Sequence, residues 1–251
     1  MRIRFVWNPR AGANGTNGAP GLDGRDATYV GADWSIIDRN VLGGGDSYLR
    51  AGPGCIAEIC PGSLGQGSLG IRTAGTADKI AFGSTTAYDG VLVKELTKLS
   101  FSVFTSTENS LHGMGNLPNL TFEIDPNRQA VGGNYSSLVF IPAPLTEAQS
   151  DSSTNGWTSI DATTSGGWAL TGTHTSCKLG VATCTFAQMQ TYLDESTGDT
   201  EPASAVITYS TAFSKGSGGP FFSGAVDKLR INNDLYNFEP FGVVKTAIPV
   251  S

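Results

Sequence analysis

The sequence predicts an all-β protein of the sandwich or jelly-roll type, and three observations support this. Short runs rich in Val, Ile, Phe, Thr and Trp recur along the chain, and several alternate between apolar and polar residues. Clusters of Gly, Pro, Asn and Asp separate these runs, and the 251 residues include 33 glycines. Charged residues make up only 15 % of the chain, too few for the solvent faces of a helical bundle. Many short strands with turn-rich connections are typical of packed antiparallel sheets.

Eleven runs have the character of strands. The alternation is clear in the run 120–125, whose apolar positions would face one side and whose Thr121, Glu123 and Asp125 would face the other. We predict strands at 28–37, 68–73, 79–82, 99–105, 120–125, 136–141, 157–162, 168–171, 206–213, 225–231 and 235–238.

Two segments are predicted to be helical. Thr185 and Gln188 have the spacing of a capping box, in which each side chain bonds to the backbone of the other residue. Phe186, Met189 and Leu193 then recur on one helical face. The leucine-rich run 92–99 predicts a second, shorter helical turn.

Composition and charge limit the classes of partner. The chain has 16 Lys+Arg against 22 Asp+Glu, a formal net charge of −6, and contains no basic run. We therefore expect no nucleic-acid partner, because binding to phosphate backbones needs a basic surface. No stretch approaches the about 18 consecutive apolar residues that span a bilayer, and the first ten residues lack the apolar core of a secretory signal. We expect no membrane partner.

The four cysteines form two close pairs, Cys55/Cys60 and Cys177/Cys184, and all four are disulfide candidates. Local disulfides would indicate a protein that works outside the cytosol. Free thiols are an alternative for both pairs. A zinc site, which needs pairs separated by two to four residues, fits only Cys55/Cys60.

The run 216–220, Gly-Ser-Gly-Gly-Pro, resembles the sequence around the nucleophile of chymotrypsin-like serine proteases. His112 and His174 are the only two histidines, and His174 precedes Ser217 by 43 residues (217 − 174). Two barrels do not fit that order and spacing, so a Gly-rich hairpin loop is the better interpretation. Two histidines also provide few imidazole ligands for a metal site. We expect neither a metal nor a cofactor.

Three acidic residues could carry other chemistry. Glu123 and Asp125 share one face of a strand and could be the carboxylate pair of a glycosidase, or simply a solvated surface. Asp227 is predicted to share a face with Leu229 and Ile231. It would either accept hydrogen bonds from backbone N–H groups or help to bind Ca²⁺.

Exposed aromatic rings could bind sugars, because the apolar C–H face of a sugar stacks on them. Trp34, Trp157 and Trp168 lie beside small or hydroxylated residues and are candidates for such a glycan platform. Trp157 and Trp168 also flank a turn-rich stretch and could pair across a hairpin. The alternative for all three is burial in the core of the sandwich.

The first eleven residues are predicted to contain an anchoring strand. Ile3, Phe5 and Trp7 alternate with Arg2 and Arg4. A single strand cannot bury its apolar face by itself. We therefore expect it to dock on the main domain, on a sister chain or on a larger assembly.

Glycine recurs at every third position of residues 12–26, at Gly12, Gly15, Gly18, Gly21 and Gly24. A collagen triple helix needs this period because only glycine fits at its crowded axis. Five triplets would not hold three chains alone and would need a trimeric neighbour; a flexible linker is the alternative. The triplets predict a homotrimer with a stem at 12–26 and a head domain at 27–251.

Two parts of the chain resemble known proteins. The glycine triplets resemble the collagen-like stalks of phage fibre and virion-surface proteins. The following domain resembles a jelly-roll or concanavalin-like β-sandwich of exported actinobacterial proteins and actinobacteriophages. The second resemblance covers roughly residues 28–243 and rests on WSIIDRN at 34–40, DSYLRAGP at 46–53, LPNLTFEIDP at 117–126, YSSLV at 135–139, CTFAQ at 184–188, and SGAVDKLRIN and YNFEPFGV within 223–243.

These resemblances imply a non-enzymatic, homotrimeric protein on the surface of a bacteriophage virion. It would be a capsid decoration, a head fibre or a tail fibre, joined to capsid or tail proteins through its N-terminus. Its head would bind host-surface glycan or only occupy and stabilise a site. One alternative is an extracellular, secreted carbohydrate-binding module of a bacterium. A second is a glycoside hydrolase that uses Glu123 and Asp125.

Overall fold

The computed structural model describes residues 33–53, 65–109, 115–126, 135–146, 156–194, 205–216 and 221–248. The anchor residues Ile3, Phe5 and Trp7, the five stem glycines, the domain boundary at 27, and Cys55, Cys60, His112 and Ser217 lie outside these residues. The described strands are β1 Ser35–Ile36, β2 Asp46–Ala51, β3 Gly67–Thr73, β4 Ile80–Ser84, β5 Leu99–Phe104, β6 Asn119–Asp125, β7 Ser136–Ile141, β8 Trp157–Asp161, β9 Gly167–Leu170, β10 Val206–Lys215, β11 Phe222–Ile231, β12 Asp234–Glu239 and β13 Gly242–Ala247.

The strands form two antiparallel sheets, which confirms the prediction of an all-β sandwich. The first sheet has the order β1-β4-β10-β6-β7-β9. The second has the order β13-β12-β11-β3-β2, and β5 pairs with the other edge of β11 and with β8. Helical segments are an α-helix, α1, at Phe186–Asp194 and 3₁₀ turns at Asp38–Asn40, Val93–Glu95 and Ser106–Asn109. No helix in the described ranges is long and apolar enough to cross a membrane.

Aromatic and aliphatic side chains fill the space between the sheets. The apolar positions of β6, Leu120, Phe122 and Ile124, are completely buried, as their alternation predicts. Phe213 of the first sheet meets Phe101 of the second with ring centroids 5.1 Å apart. Burying one such side chain contributes about 1.5–3 kcal/mol, so this layer stabilises the packing of one sheet on the other.

Two strands were not predicted, β2 and β13. In β2 only Ser47 and Leu49 are buried, so a single large apolar side chain marks the inward face. In β13 only Gly242 is buried and the last four residues are exposed. Both strands are held by pairing with β3 and β12, respectively, rather than by their own apolar pattern.

A bulge in β11 changes the prediction made for Asp227. Lys228 has a φ of 55°, and the pairing of β11 with β5 shifts register between Asp227 and Arg230. Asp227 therefore pairs with Ser102 and does not share a face with Leu229, which joins the core. Its buried carboxylate accepts a hydrogen bond from the backbone N–H of Phe238 at 3.1 Å. This contact lies where the neighbour of β11 changes from β3 to β12.

The predicted helix and one predicted disulfide are confirmed. Thr185 and Gln188 exchange hydrogen bonds of 2.9 and 3.2 Å at the start of α1. Cys177 and Cys184 form a disulfide in the loop between β9 and α1. Backbone hydrogen bonds tie both cysteines to β9, including Trp168 N–H to the Cys184 carbonyl at 2.8 Å. The short turn predicted in the run 92–99 is the 3₁₀ turn Val93–Glu95.

A carboxylate holds together two loops at the end of the sandwich. Asp78 accepts backbone hydrogen bonds from Gly44 at 2.8 Å, from Ala74 at 2.7 Å and from Gly75 at 2.8 Å. The hydrogen bonds, that from Gly44 above all, lower the pKa of Asp78 although partial burial opposes them. The loop before β2 is thereby joined to the turn between β3 and β4.

We expect Asp78→Asn to lower the melting temperature at pH 7, because the amide replaces a charged acceptor and directs an NH₂ group towards backbone donors. Since the pKa of Asp78 is lowered on folding, its contribution is complete above the unfolded pKa of about 3.9 and is lost as the pH falls through the lower folded pKa. Thermal unfolding between pH 7 and pH 3 should show the two proteins converging below about pH 4. Asp46→Asn, at an exposed position of β2, is the control, and an equal effect there would contradict the assignment.

Candidate functional site

The outer face of the first sheet is polar. Inward positions of β6 and β10 enter the core, which leaves Asn119, Thr121 and Ser214 on the outside. The hydroxyl groups of Thr121 and Ser214 lie 2.6 Å apart across the two strands. A polar outer face is ordinary for an antiparallel sheet and does not by itself indicate a binding site. A depression in that face is the feature that could hold a ligand.

A groove of about 260 Å³ runs along this face. Its floor is formed by side chains of β6, β7 and β10. One side carries Asn40 and Lys79, joined by a hydrogen bond of 3.1 Å, and the other carries Thr171 and Leu179. Hydroxyl, amide, ammonium and carboxylate groups therefore converge on one shallow depression.

The segment that follows β1 forms one side of the groove because it crosses from the edge of the sheet onto its outer face. Ile37 packs there against Ala81 of β4 and Ala212 of β10. The N–H group of Ile37 donates to the Ala81 carbonyl at 2.9 Å. Small side chains at these two strand positions give Ile37 room, and the 3₁₀ turn Asp38–Asn40 then lies over the sheet.

Glu123 is the centre of a cluster at one end of the groove. Although it is on the outer face, the residue is only 2 % exposed. Its Oε1 accepts a hydrogen bond from the Tyr135 hydroxyl at 2.7 Å, and its Oε2 accepts one from Ser210 and forms an ion pair with Arg39. The Arg39 guanidinium also lies 5.6 Å from the ring centre of Tyr209. We call these five residues the Glu123 cluster.

A bulge in β10 places Tyr209 in the cluster. Ile207 pairs with Ile124 and Ser210 pairs with Glu123, so two residues of β10, Thr208 and Tyr209, lie opposite a single step of β6. Bulges of this kind change the direction of side chains and commonly occur near functional sites. Here the bulge brings an aromatic ring beside a buried carboxylate.

The surroundings of Glu123 keep its carboxylate charged. Burial raises the pKa of this group. Hydrogen bonds from Ser210 and Tyr135 and the charge of Arg39 lower the pKa by more than burial raises it, so the pKa lies below its ordinary value. Burial raises the pKa of Tyr135, and Glu123 adds to the increase, so the phenol remains a neutral donor. An ionised carboxylate with both oxygens engaged is suited to holding partners in place rather than to donating a proton.

Two tyrosine rings beside the carboxylate are half exposed. Tyr135 is 50 % exposed and Tyr209 is 47 % exposed. Their ring centres are 5.9 Å apart with an angle of 58° between the planes. Tyr135 is held by its hydrogen bond to Glu123, and Tyr209 by its contact with the Arg39 guanidinium. Both rings therefore expose apolar surface to solvent beside the groove.

The three tryptophans predicted as a glycan platform are in the interior, so that prediction is wrong for this structure. Trp34, Trp157 and Trp168 are 3 %, 7 % and 1 % exposed. Trp168 packs on Phe186 and donates its indole N–H to the Ala162 carbonyl at 2.8 Å. The hairpin pairing of Trp157 with Trp168 is also wrong, because β8 and β9 belong to different sheets. Each ring has a large apolar area, and burial in the core removes it from water.

The structure describes three of the other groups that were predicted to carry chemistry, namely Glu123, Asp125 and His174. Glu123 binds Arg39, and Asp125 lies further along β6 and is partly exposed. His174 is 7 % exposed and lies 3.3 Å from the hydroxyl of Ser136, which is fully buried, and 3.4 Å from that of Tyr192. No group of three His, Cys, Asp or Glu side chains in the described ranges could hold a metal ion.

Sequence reasoning missed four members of the Glu123 cluster, namely Arg39, Tyr135, Tyr209 and Ser210. These residues come from separate segments of the chain, so the sequence does not show that they lie close together in the fold. No sequence pattern that we recognised predicts the bulge in β10. The chain matches no protein-family model, no curated protein and no solved structure. The geometry of this face is therefore the basis for an argument about function.

We expect Glu123→Gln to lower the free energy of unfolding by about 1–3 kcal/mol, because it removes a charged acceptor from buried donors. Arg39→Met should have a smaller effect, since the guanidinium is half exposed. Denaturant unfolding of the single and double variants would give the coupling free energy between the two residues. Asp125→Asn, two residues along the same strand, is the control, and additive effects of the two cluster variants would show that the ion pair contributes nothing.

Proposed function

We propose that this chain is a non-enzymatic, homotrimeric protein of the bacteriophage virion surface whose head binds glycan on the host. The proposal that the head binds glycan rests on the groove beside the Tyr135 and Tyr209 rings, because its lining combines polar side chains with apolar surface. A sugar offers both an apolar C–H face and several hydroxyl groups, and this face of the sheet offers partners for both.

The proposed binding mode divides the glycan between two kinds of contact. One sugar ring stacks on Tyr135 and Tyr209, while hydroxyl groups of the next sugar bond to the amide and hydroxyl groups of Asn119, Thr121 and Ser137. At about 260 Å³ the groove is near the lower end of ligand sites, which occupy about 300–1,000 Å³, so it suits a short stretch of glycan. Such a site binds weakly by itself.

Three copies on one stem would convert weak sites into firm attachment. The glycine triplets at 12–26 support a trimer, because a triple helix needs three chains. Linked sites bind a repetitive cell-surface polymer with an avidity that exceeds the affinity of each site. In this proposal the head is a sandwich of the jelly-roll or concanavalin-like type, and residues 1–11 join it to a capsid or tail protein.

The burial, the hydrogen-bond partners and the lowered pKa of Glu123 support the proposal that the protein is not an enzyme. A glycosidase needs a second carboxyl group as proton donor and a carboxylate open to the sugar. The carboxylate of Glu123 instead binds three side chains and is almost completely covered. Its lowered pKa does not suit a proton donor.

We expect Tyr135→Ala and Tyr209→Ala each to weaken glycan binding about two- to tenfold, because aromatic contacts contribute about 0.5–1.5 kcal/mol. The measurement is titration calorimetry against host cell-wall polysaccharide, preceded by a glycan array. Tyr48→Ala is the matched control, since Tyr48 lies on the outer side of the other sheet, against Gly70. Equal losses in all three variants, or no bound glycan on the array, would contradict the proposed site.

The full chain should have three times the chain mass in light scattering, and Gly15→Asp combined with Gly21→Asp should weaken the trimer. An aspartate cannot fit at the axis of a triple helix. A trimer in both proteins would mean that the head associates by itself and the stem only follows. A monomer in both would refute the homotrimer and favour a single secreted binding module.

Antibodies raised against the head should label intact phage particles in electron microscopy. The virion location requires accessible heads at regular positions on the capsid or the tail. Antibodies against an internal virion protein are the control for broken particles. Particles that contain the chain but stay unlabelled would refute a surface location.

A further inference from the structure

An exposed apolar surface lies on the hairpin that β12 and β13 form. Phe241, in the turn, is 76 % exposed, and Val244 of β13 is 44 % exposed. Among the described strands β13 pairs with β12 alone and is the edge of the second sheet. Large apolar side chains exposed at a sheet edge often mark an interaction surface.

The path of the chain places this hairpin beside the first described residue. Asp33, the first described residue, lines a groove of about 330 Å³ together with Val243 and Lys245 of β13. Trp34 packs against Tyr236 of β12 with ring centres 4.9 Å apart. Six residues, 27–32, separate the last triplet residue, Asp26, from Asp33. A segment of that length spans at most about 25 Å.

We propose that the hairpins of three heads contact one another around the stem axis, with Phe241 and Val244 as the central contact. This inference rests on the proposed homotrimer. Three chains leaving one triple helix start within a few ångströms of a common axis. Each head is then held near that axis by its own entry point, and the hairpin beside that point becomes the surface that meets its neighbours.

The charges on the hairpin permit such a contact. Lys245 forms an ion pair of 2.8 Å with Asp234, and its ammonium lies 5.8 Å from the ring centre of Tyr236. Because side chains alternate along a strand, Lys245 lies on the face of β13 opposite to Val244, so hairpins that meet at Val244 do not bring their lysines together there. Burying the side chains of Phe241 and Val244 from water then favours association.

The same arrangement separates assembly from binding. β1 and β9 are the two edges of the first sheet, and the entry point adjoins β1. The side of the groove formed by Thr171 and Leu179 adjoins β9. A contact at the hairpin would leave that side of each head free to meet a host surface.

The test places a photo-reactive p-benzoylphenylalanine at position 241 or at position 181 of the full chain. Val181 is the matched control: it is also 76 % exposed, but it follows β9 at the opposite edge of the first sheet. Irradiation should produce covalent dimers and trimers from position 241, at a yield at least about tenfold above position 181. Mass spectrometry should find the linked peptide within residues 234–247 of a neighbouring chain.

The outcomes separate this inference from the proposed trimer. A trimer by light scattering that gives equal or no cross-links at position 241 would overturn the hairpin contact and leave the trimer standing. A monomer by light scattering would overturn both. As an independent measurement, Phe241→Asp should raise the protein concentration at which the trimer dissociates by at least about tenfold, while Val181→Asp should leave it unchanged.

Discussion

A buried carboxylate on the outer face of a sheet is the constraint on which the candidate binding surface depends. Glu123 is almost inaccessible to water, and a charged group in such a place must be paired and hydrogen-bonded. Arg39, Tyr135 and Ser210 meet that need. Each comes from a different segment of the chain, so satisfying one carboxylate joins three segments.

The path of the chain over the sheet follows from the same requirement. Arg39 can reach Glu123 only because the residues after β1 cross the outer face, where Ile37 rests on two alanines. The bulge in β10 then supplies the ring of Tyr209 beneath the guanidinium. The groove and the two exposed rings are consequences of this packing, and a sugar would meet a surface already held in its binding geometry. Preformed sites of this kind lose little conformational entropy when a ligand binds.

The two proposals concern different parts of one head. The groove proposed to bind glycan lies on the outer face of the first sheet, whereas the apolar hairpin lies at the edge of the second sheet beside Asp33, the first described residue. The stem, the hairpin and the groove would thus lie in series from the virion to the host.

Much of the architecture could be predicted from the sequence, because strands that alternate have their inward side determined by the apolar residues themselves. The buried face of β6, the capping box before α1 and the disulfide between Cys177 and Cys184 are local patterns of this kind. Strands β2 and β13 lacked such a pattern, since neighbouring strands hold them by backbone pairing. The tryptophans were misplaced as ligand platforms because a sequence does not show which large rings the core will enclose.

The sequence by itself determined an all-β chain with a glycine-triplet segment, and it determined which face of several strands is apolar. Only the tertiary structure decided what the polar face of β6 does. Arg39 and Glu123 are 84 positions apart, and Tyr209 joins them through a bulge that no local pattern announces. Hydrophobic periodicity is a short-range property written along one strand. A charged pair between distant segments forms only after the sheet has brought the two segments together. The attraction between the two charges offsets the cost of burial and of chain ordering only in the folded state.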